Sequence, residues 1–595
     1  MSFLAKSFRV SSAASTFARF LSGKMVPITI NGRRVEAEEG SSLLEACENA
    51  GVFIPKLCYH PALESVGTCR LCLVDVKGMG KLQPSCMTKV ASGLEVVTEN
   101  PEILEAIRAN LRLLRSRHPN DCMTCEVNGR CQFQDLLYRY QIEDKYDKMS
   151  RIERKEELDL SSPSLVRDMD KCVLCGRCVR VCASIQGMNI LAMVNRGSVE
   201  IPETVFELPL NSTQCINCGQ CATVCPVGAI IEKPHIHDVV DALKHKDDRI
   251  IIASTAPAVR VAISEEFGLA PGSISTGHMV AALRKCGFDK VFDTNFTADL
   301  TTVEEANEFI ARVKTGGPFP MFTSCCPAWI NMVEKLYPEL IPNISSCRSP
   351  QAMMGSLVKT FYAKKIGVAP EKIVLTSIMP CTAKKDEIQR EQLAGDTDYV
   401  LTTRELAKLF RLNDVNFSSL EESDFDSPLG LSTGAAAIFG ATGGVMESAL
   451  RTAYETITGK DLPSVDLNAV RGLEGIRDAV VDVDGLKVKV AIANGGANVR
   501  KLIEKVLAKE ADYHFIEIME CRGGCVGGGG EPKSMDKDIL PKRIGGIYKI
   551  DHDMKMRKAH QNPAIKEIYE EFLEKPNSHI AHDLLHTHYH SRKIE

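Results

Sequence analysis

Most of the 23 cysteines in this 595-residue chain stand two or three residues apart, a spacing that suits metal coordination better than disulfide pairing. A disulfide framework belongs to small secreted chains, and this chain is long and carries no secretory signal. Two front runs stand out: C-x10-C-x2-C-x13-C at Cys58, Cys69, Cys72 and Cys86, and H-x3-C-x2-C-x5-C at His118, Cys122, Cys125 and Cys131. Both could hold an iron–sulfur cluster, and zinc is the competing occupant of each. Three further cysteine motifs lie in the C-terminal half: T-S-C-C-P-A-W (323–329), M-P-C-T-A-K-K-D-E (379–387) and E-I-M-E-C-R-G-G-C-V-G-G-G-G-E-P (517–532). Each follows an apolar, strand-like run: Phe319 to Thr323, Ile373 to Met379 and Phe515 to Met519. Ligands gather at the ends of such strands in open α/β sheets, so distant segments can meet in one pocket.

The elements that position the front runs are legible in outline. Residues from Val26 alternate around Asn31-Gly32, the dipeptide of a tight hairpin, and a short helix capped by Ser41 is expected as far as Ala50. Ile103, Ile107, Leu111 and Leu114 recur at helical spacing, so Pro101 to Arg117 reads as an amphipathic helix delivering His118. Beyond a charged segment (Glu143 to Glu157), C-x2-C-x2-C-x3-C occurs twice, at Cys172, Cys175, Cys178, Cys182 and at Cys215, Cys218, Cys221, Cys225. This is the signature of two-cluster ferredoxins, whose fourth cysteine serves the other cluster. One 4Fe-4S cluster is expected on Cys172, Cys175, Cys178 and Cys225, and the other on Cys182, Cys215, Cys218 and Cys221. Cys182 is followed by Ala183 where proline is usual, which affects the turn more than the ligation. The front of the chain resembles the iron–sulfur region of respiratory complex I's largest peripheral subunit, shared with certain hydrogenases. That likeness favours a 2Fe-2S cluster in the first run and a His-ligated 4Fe-4S cluster in the second.

Together the three C-terminal motifs resemble the signatures of the FeFe hydrogenases, and residues 26–595 are similar to the long, many-clustered form of that family. The resemblance implies proton reduction to H2 and a set of one 2Fe-2S cluster, three accessory 4Fe-4S clusters and an H-cluster. It places a 4Fe-4S cubane on Cys326, Cys381, Cys521 and Cys525, with Cys525 bridging to a di-iron unit that carries CO, cyanide and a dithiolate amine. Cys325 becomes the proton donor to that amine, and Lys384 offers its N–H groups to a cyanide. Glu305 and Glu308, one turn apart on a helical face with Arg312 beyond, align with relay carboxylates, and Ser345 with the hydroxyl between them. Met379 and Met519 would pack against the cluster; Pro257, Ala258, Gln351 and Phe439 align with pocket-lining positions. The run Gly527 to Gly530 would let backbone approach a bulky inorganic group.

The expected fold is multidomain, α/β and α+β: a transit peptide (1–24), a 2Fe-2S ferredoxin-like β-grasp (25–102), a His-ligated helical segment (103–145), a double 4Fe-4S ferredoxin domain (160–240), a two-lobed α/β catalytic domain (248–535) and a wrapping tail (536–595). The first 35 residues lack Asp and Glu and carry Lys6, Arg9, Arg19 and Lys24 among Ser, Ala and Phe, as an organelle transit peptide does, pointing to a hydrogenosome or mitochondrion-like matrix. A disordered tail is the plainer reading. The tail's His579, His582, His586, His588 and His590 could bind metal, but L-L-H-T-H-Y fits the family's wrapping tail; Cys47, Cys286 and Cys347 read as core. Net charge −5 on a chain with 25% charged residues leaves no basic stripe for nucleic acid. No apolar run approaches the roughly 20 residues of a membrane span. Ferredoxin is the expected electron partner, and an NADH-oxidising flavoprotein a further one. Two rival functions are a non-catalytic iron–sulfur carrier or assembly protein and an electron-input subunit of an NADH-oxidising complex.

Overall fold

The computed structural model describes residues 23–142, 158–483 and 485–592. The expected leader, apart from Gly23 and Lys24, and the charged segment 143–157 lie outside these residues. The chain divides into two compact units, residues 1–154 with 171–175, and residues 155–170 with 176–595.

In the first unit the strands Met25–Ile30 and Arg33–Glu38 pair antiparallel across Asn31 and Gly32, whose φ angles of 49° and 78° are what a type I′ turn requires. They form one side of a five-stranded sheet. Ser42, one residue later than expected, caps the helix Leu43–Asn49 by accepting from Glu45 N at 3.2 Å, and Cys47 is buried beneath it. The amphipathic helix runs Pro101–Arg115, with Asn100 as its cap and Ile103, Ile107 and Leu111 buried. Leu114, expected on the same face, is half-buried, and the helix stops short of His118.

The second unit contains a ferredoxin-like strand pair, Leu165–Arg167 with Ile230–Glu232, and two four-stranded sheets. In one sheet, Lys290–Asp293, Ile250–Thr255, Ile373–Met379 and Tyr399–Thr402 lie side by side and parallel. In the other, Met321–Phe322, Phe515–Met519 and Leu486–Asn494 are parallel, and Ile476–Val483 pairs antiparallel at the edge. Every residue of Ile373–Met379 and of Phe515–Met519 is buried, as expected of strands covered on both faces. The helix Thr294–Thr315, capped by Asp293, is buried almost throughout its first thirteen residues and carries Glu304, Glu305 and Glu308.

The glycine run packs backbone on backbone. A Cβ on Gly529 would stand 2.2 Å from Cys218 O and 2.8 Å from Gly219 Cα, and one on Gly528 would stand 2.1 Å from Pro380 O. Side chains are therefore excluded here chiefly because three protein segments meet, a different reason from the one expected. The tail wraps onto the catalytic unit: Leu585 O accepts from Arg348 N at 2.7 Å, and Thr587 N donates to Ser346 O at 2.8 Å. His586 is buried, whereas His579, His582, His588 and His590 are exposed. Buried Glu304 holds the tail through Tyr569 OH (2.5 Å), Asn577 N (2.9 Å) and His586 Nε2 (3.1 Å).

Replacing Glu304 with Leu strands those donors in the interior and should weaken tail docking by about 3 kcal/mol. The expected outcome is faster hydrogen exchange and proteolysis across residues 560–592, with exchange in the first unit unchanged.

Candidate active site

Three chain segments leave the C-terminal ends of strands Met321–Phe322, Ile373–Met379 and Phe515–Met519 and bring Cys325, Cys326, Cys381, Cys521 and Cys525 to the wall of one cavity. The turn into Cys525 depends on Gly524, at φ 91°, where a Cβ would meet Thr442 N at 2.6 Å. Burial raises the pKa of every one of these thiols; that of Cys326 reaches about 12, with the charge of Cys381 as the next cause. Cys521 and Cys525 each feel both Cys381 and Cys326. Ionising one makes the next harder, so such a set gives up its protons together only to a strongly cationic partner.

Pro257, Gln351, Met379, Phe439 and Met519 also line this cavity. Ala258 is the exception among the expected lining residues: it is fully buried with Val261, Ile438 and Ile547, behind the wall. Phe439 and Met519 pack with Ala298 against Cys325 and Cys525. Lys384 is held by Glu387 Oε2 (2.8 Å), Ser349 Oγ (2.8 Å) and Cys325 O (3.3 Å). All three of its N–H groups thus have protein acceptors, which the sequence did not suggest. Burial is the strongest effect and opposes its charge, but Glu387 together with Cys381 and Cys325 leaves the pKa above its ordinary value. Gln351 donates to the same Glu387 oxygen at 2.9 Å, while its buried Oε1 has no protein partner. Both carboxyl oxygens of Glu520, on the cavity wall, are likewise without one, and burial pushes this acid up to about 8. Clustered thiols beside orphaned polar atoms fit an iron–sulfur prosthetic group well.

The acids expected to carry protons are brought together. Ser345 Oγ donates to Glu308 Oε2 at 2.8 Å, and Arg312 Nη2 donates to Glu308 Oε1 at 2.7 Å. Glu305 is fully enclosed; burial first, then the charge of Glu308, pushes it up to about 8, and the Ser345 hydroxyl draws it partly back. Its charge in turn raises Cys325. Cys325, Glu305, Ser345 and Glu308 are therefore near neighbours running from the cavity to a half-buried ion pair with Arg312.

The accessory sets differ in how closely their geometry is defined. In the first unit, bonding between Cys58 and Cys69 and between Cys72 and Cys86 groups four thiols, and the charge of Cys58 also reaches Cys72 and Cys86. His118 Nδ1 lies 2.9 Å from Pro119 O, which can only accept, so Nδ1 carries the proton and Nε2 keeps the lone pair that a metal ligand needs. Cys182, Cys215, Cys218 and Cys221 line one small cavity in the second unit. Of the remaining expected set, Cys172 and Cys175 belong to the first unit and Cys178 and Cys225 to the second.

Two parallel-stranded lobes closing on a thiol-lined cavity, fed by a ferredoxin-like domain, define a redox enzyme with an iron–sulfur centre. Residues 249–529 match the C-terminal domain of the iron-only hydrogenase large subunit, and residues 537–592 the iron hydrogenase small subunit. Ahead of them, residues 23–101 match a 2Fe-2S iron–sulfur cluster binding domain, 108–145 the NADH-ubiquinone oxidoreductase-G iron–sulfur binding region, and 171–229 a 4Fe-4S dicluster domain. A subunit of an NADP-reducing hydrogenase from Solidesulfovibrio fructosivorans is 44% identical over 587 residues, covering 96% of this chain and 99% of its own. Iron hydrogenase 1 of Clostridium pasteurianum is 38% identical over 575 residues, 95% of this chain and 100% of its own. The solved structure of an apo [FeFe]-hydrogenase variant from Chlamydomonas reinhardtii, 43% identical, covers 61% of this chain and all of its own at a TM-score of 0.56. The chain belongs to the FeFe hydrogenase family, in its long multi-cluster form.

Sequence reasoning missed Ser349, Glu387 and Glu520. Glu387 stood in a quoted motif three residues from Lys384, the spacing of a helical ion pair. Glu305, raised from 4.5 to about 8, favours the fold below pH 4.5 and loses that contribution as pH climbs through 8. Glu305→Gln should therefore gain stability over the wild type across that interval in thermal unfolding. It should also lose a protonated-carboxyl infrared band that the wild type keeps until about pH 8.

Proposed function

We propose that this hydrogenase reversibly combines two protons and two electrons into H2, exchanging electrons with ferredoxin. Cys326, Cys381, Cys521 and Cys525 would hold the H-cluster cubane, with Cys525 shared with the di-iron unit. When bound, that group supplies the redox chemistry and the metal site at which H2 is made or split. The observation that carries the reading is that Cys325 and these four cysteines share one cavity wall, at the end of a line of acids.

The residues' parts follow from their chemistry. Cys325, held as a neutral thiol by burial, would hold a proton on Sγ at the cavity wall for the bound group and would be refilled from the Glu305 carboxyl, itself neutral up to about pH 8. The Ser345 hydroxyl passes protons between Glu305 and Glu308, and Arg312 fixes Glu308 at the outer end. Lys384, oriented by Glu387 and Ser349, would offer a charged N–H to a cyanide of the bound group. Phe439, Met379 and Met519 exclude water. Electrons would travel through a 2Fe-2S cluster on Cys58, Cys69, Cys72 and Cys86, a 4Fe-4S cluster on His118, Cys122, Cys125 and Cys131, and the paired ferredoxin clusters. Among the described residues no helix is long and apolar enough to cross a membrane. The acid-free leader supports residence in an organelle matrix.

One observation favours a second electron partner. The 44%-identical relative is a subunit of an NADP-reducing hydrogenase, which supports pairing with a nucleotide-oxidising flavoprotein chain. Reduced ferredoxin should drive H2 evolution by the chain alone, while a nicotinamide should do so only with that second chain added. In protein matured with the di-iron unit, Cys325→Ala should cut viologen-driven H2 evolution by a factor of about 100 or more with iron content intact. Undiminished evolution in this variant would refute the relay.

A further inference from the structure

Gln220 lies between Cys218 and Cys221, at the start of the helix Gln220–Val224, yet its carboxamide leaves the ferredoxin domain. Nε2 donates to Cys521 Sγ at 3.4 Å and to Gly527 O at 2.9 Å, so both amide hydrogens are directed into the third catalytic motif. The neighbouring backbone is pressed against the third and the second motif. Thr223 Oγ1 donates to Gly529 O at 3.0 Å, Thr382 Oγ1 donates to Asn217 O at 2.8 Å, and a Cβ on Gly219 would stand 2.3 Å from Thr382 Oγ1. The amide is thus held in place by a junction with no room to shift.

Cys521 Sγ thus accepts a hydrogen bond from a side chain of the ferredoxin domain. A hydrogen bond to a cluster sulfur favours the more negative, reduced state and is one of the levers that set iron–sulfur potentials.

Resting on the assignment of Cys521 to the cubane, we infer that Gln220 sets the cubane's potential relative to the adjacent ferredoxin cluster and forms the direct bonded link between them. An electron leaving the cluster on Cys182, Cys215, Cys218 and Cys221 would cross from the ligand-bearing loop through the Gln220 amide to Cys521 Sγ, oxidising the first cluster and reducing the second by one electron. The chain thereby tunes its active-site cubane with a side chain from the electron-transfer domain.

The test is an infrared-monitored redox titration of the full-length, fully matured protein, in which the CO and cyanide bands report the cubane's oxidation state. Gln220→Leu and the isosteric Gln220→Glu should each lower the reduced-to-oxidised ratio about tenfold at the wild-type midpoint, a shift of about 59 mV for one electron. Thr223→Val, which removes a clamp of the same junction without touching sulfur, should leave the ratio unchanged. Wild-type titration behaviour in both Gln220 variants would overturn the inference, as would an equal shift in Thr223→Val. A wild-type protein without CO and cyanide bands would instead overturn the H-cluster reading on which the inference rests.

Discussion

Five thiols confined to one buried cavity are the constraint on which the rest of the structure depends. Burial alone makes each costly to ionise, and their mutual charges make a second ionisation costlier still. The arrangement is tolerable only because two parallel-stranded sheets deliver the motif loops from fixed strand ends. Glycines at 524, 528 and 529 then let those loops and the ferredoxin backbone touch. Glu517 extends the same logic: buried in the strand Phe515–Met519, it accepts from Gly443 N at 2.6 Å and Met446 N at 2.7 Å, anchoring the helix Gly444–Thr458. Phe439 precedes that helix and packs beside Cys325.

One helix separates two carboxyl roles by environment. Glu305 and Glu308 are a single turn apart on Thr294–Thr315, but Glu305 is enclosed and raised to about 8, whereas Glu308 is half-buried and paired with Arg312. An enclosed neutral acid beside an outer, ion-paired one is the arrangement that the proposed proton path requires. Glu304, next to Glu305 in sequence, faces the tail and serves packing.

Much of this was legible in the chain because ligand spacing and strand-end motifs are local patterns. The doubled C-x2-C-x2-C-x3-C run, the apolar strands before each motif and the hairpin at Asn31-Gly32 all carry their geometry in a few consecutive residues. What was illegible depends on distant partners. Nothing near Lys384 in sequence revealed Ser349 or the Cys325 carbonyl as acceptors, and Gln220 gains its meaning only from Cys521, 301 residues away. Ala258 was expected on the cavity wall from the family resemblance, but it is buried in the packing around Ile547. The glycine run was read correctly as a place of close approach, though the principal neighbour is protein backbone.

Anomalous diffraction at the iron edge from crystals of the matured protein tests the central claim most directly. Expected is a four-iron cluster bonded to the Sγ atoms of Cys326, Cys381, Cys521 and Cys525, two further irons reached through Cys525 alone, and none on Cys325. Iron bonded to Cys325, or a zinc-edge signal at these thiols, would contradict it.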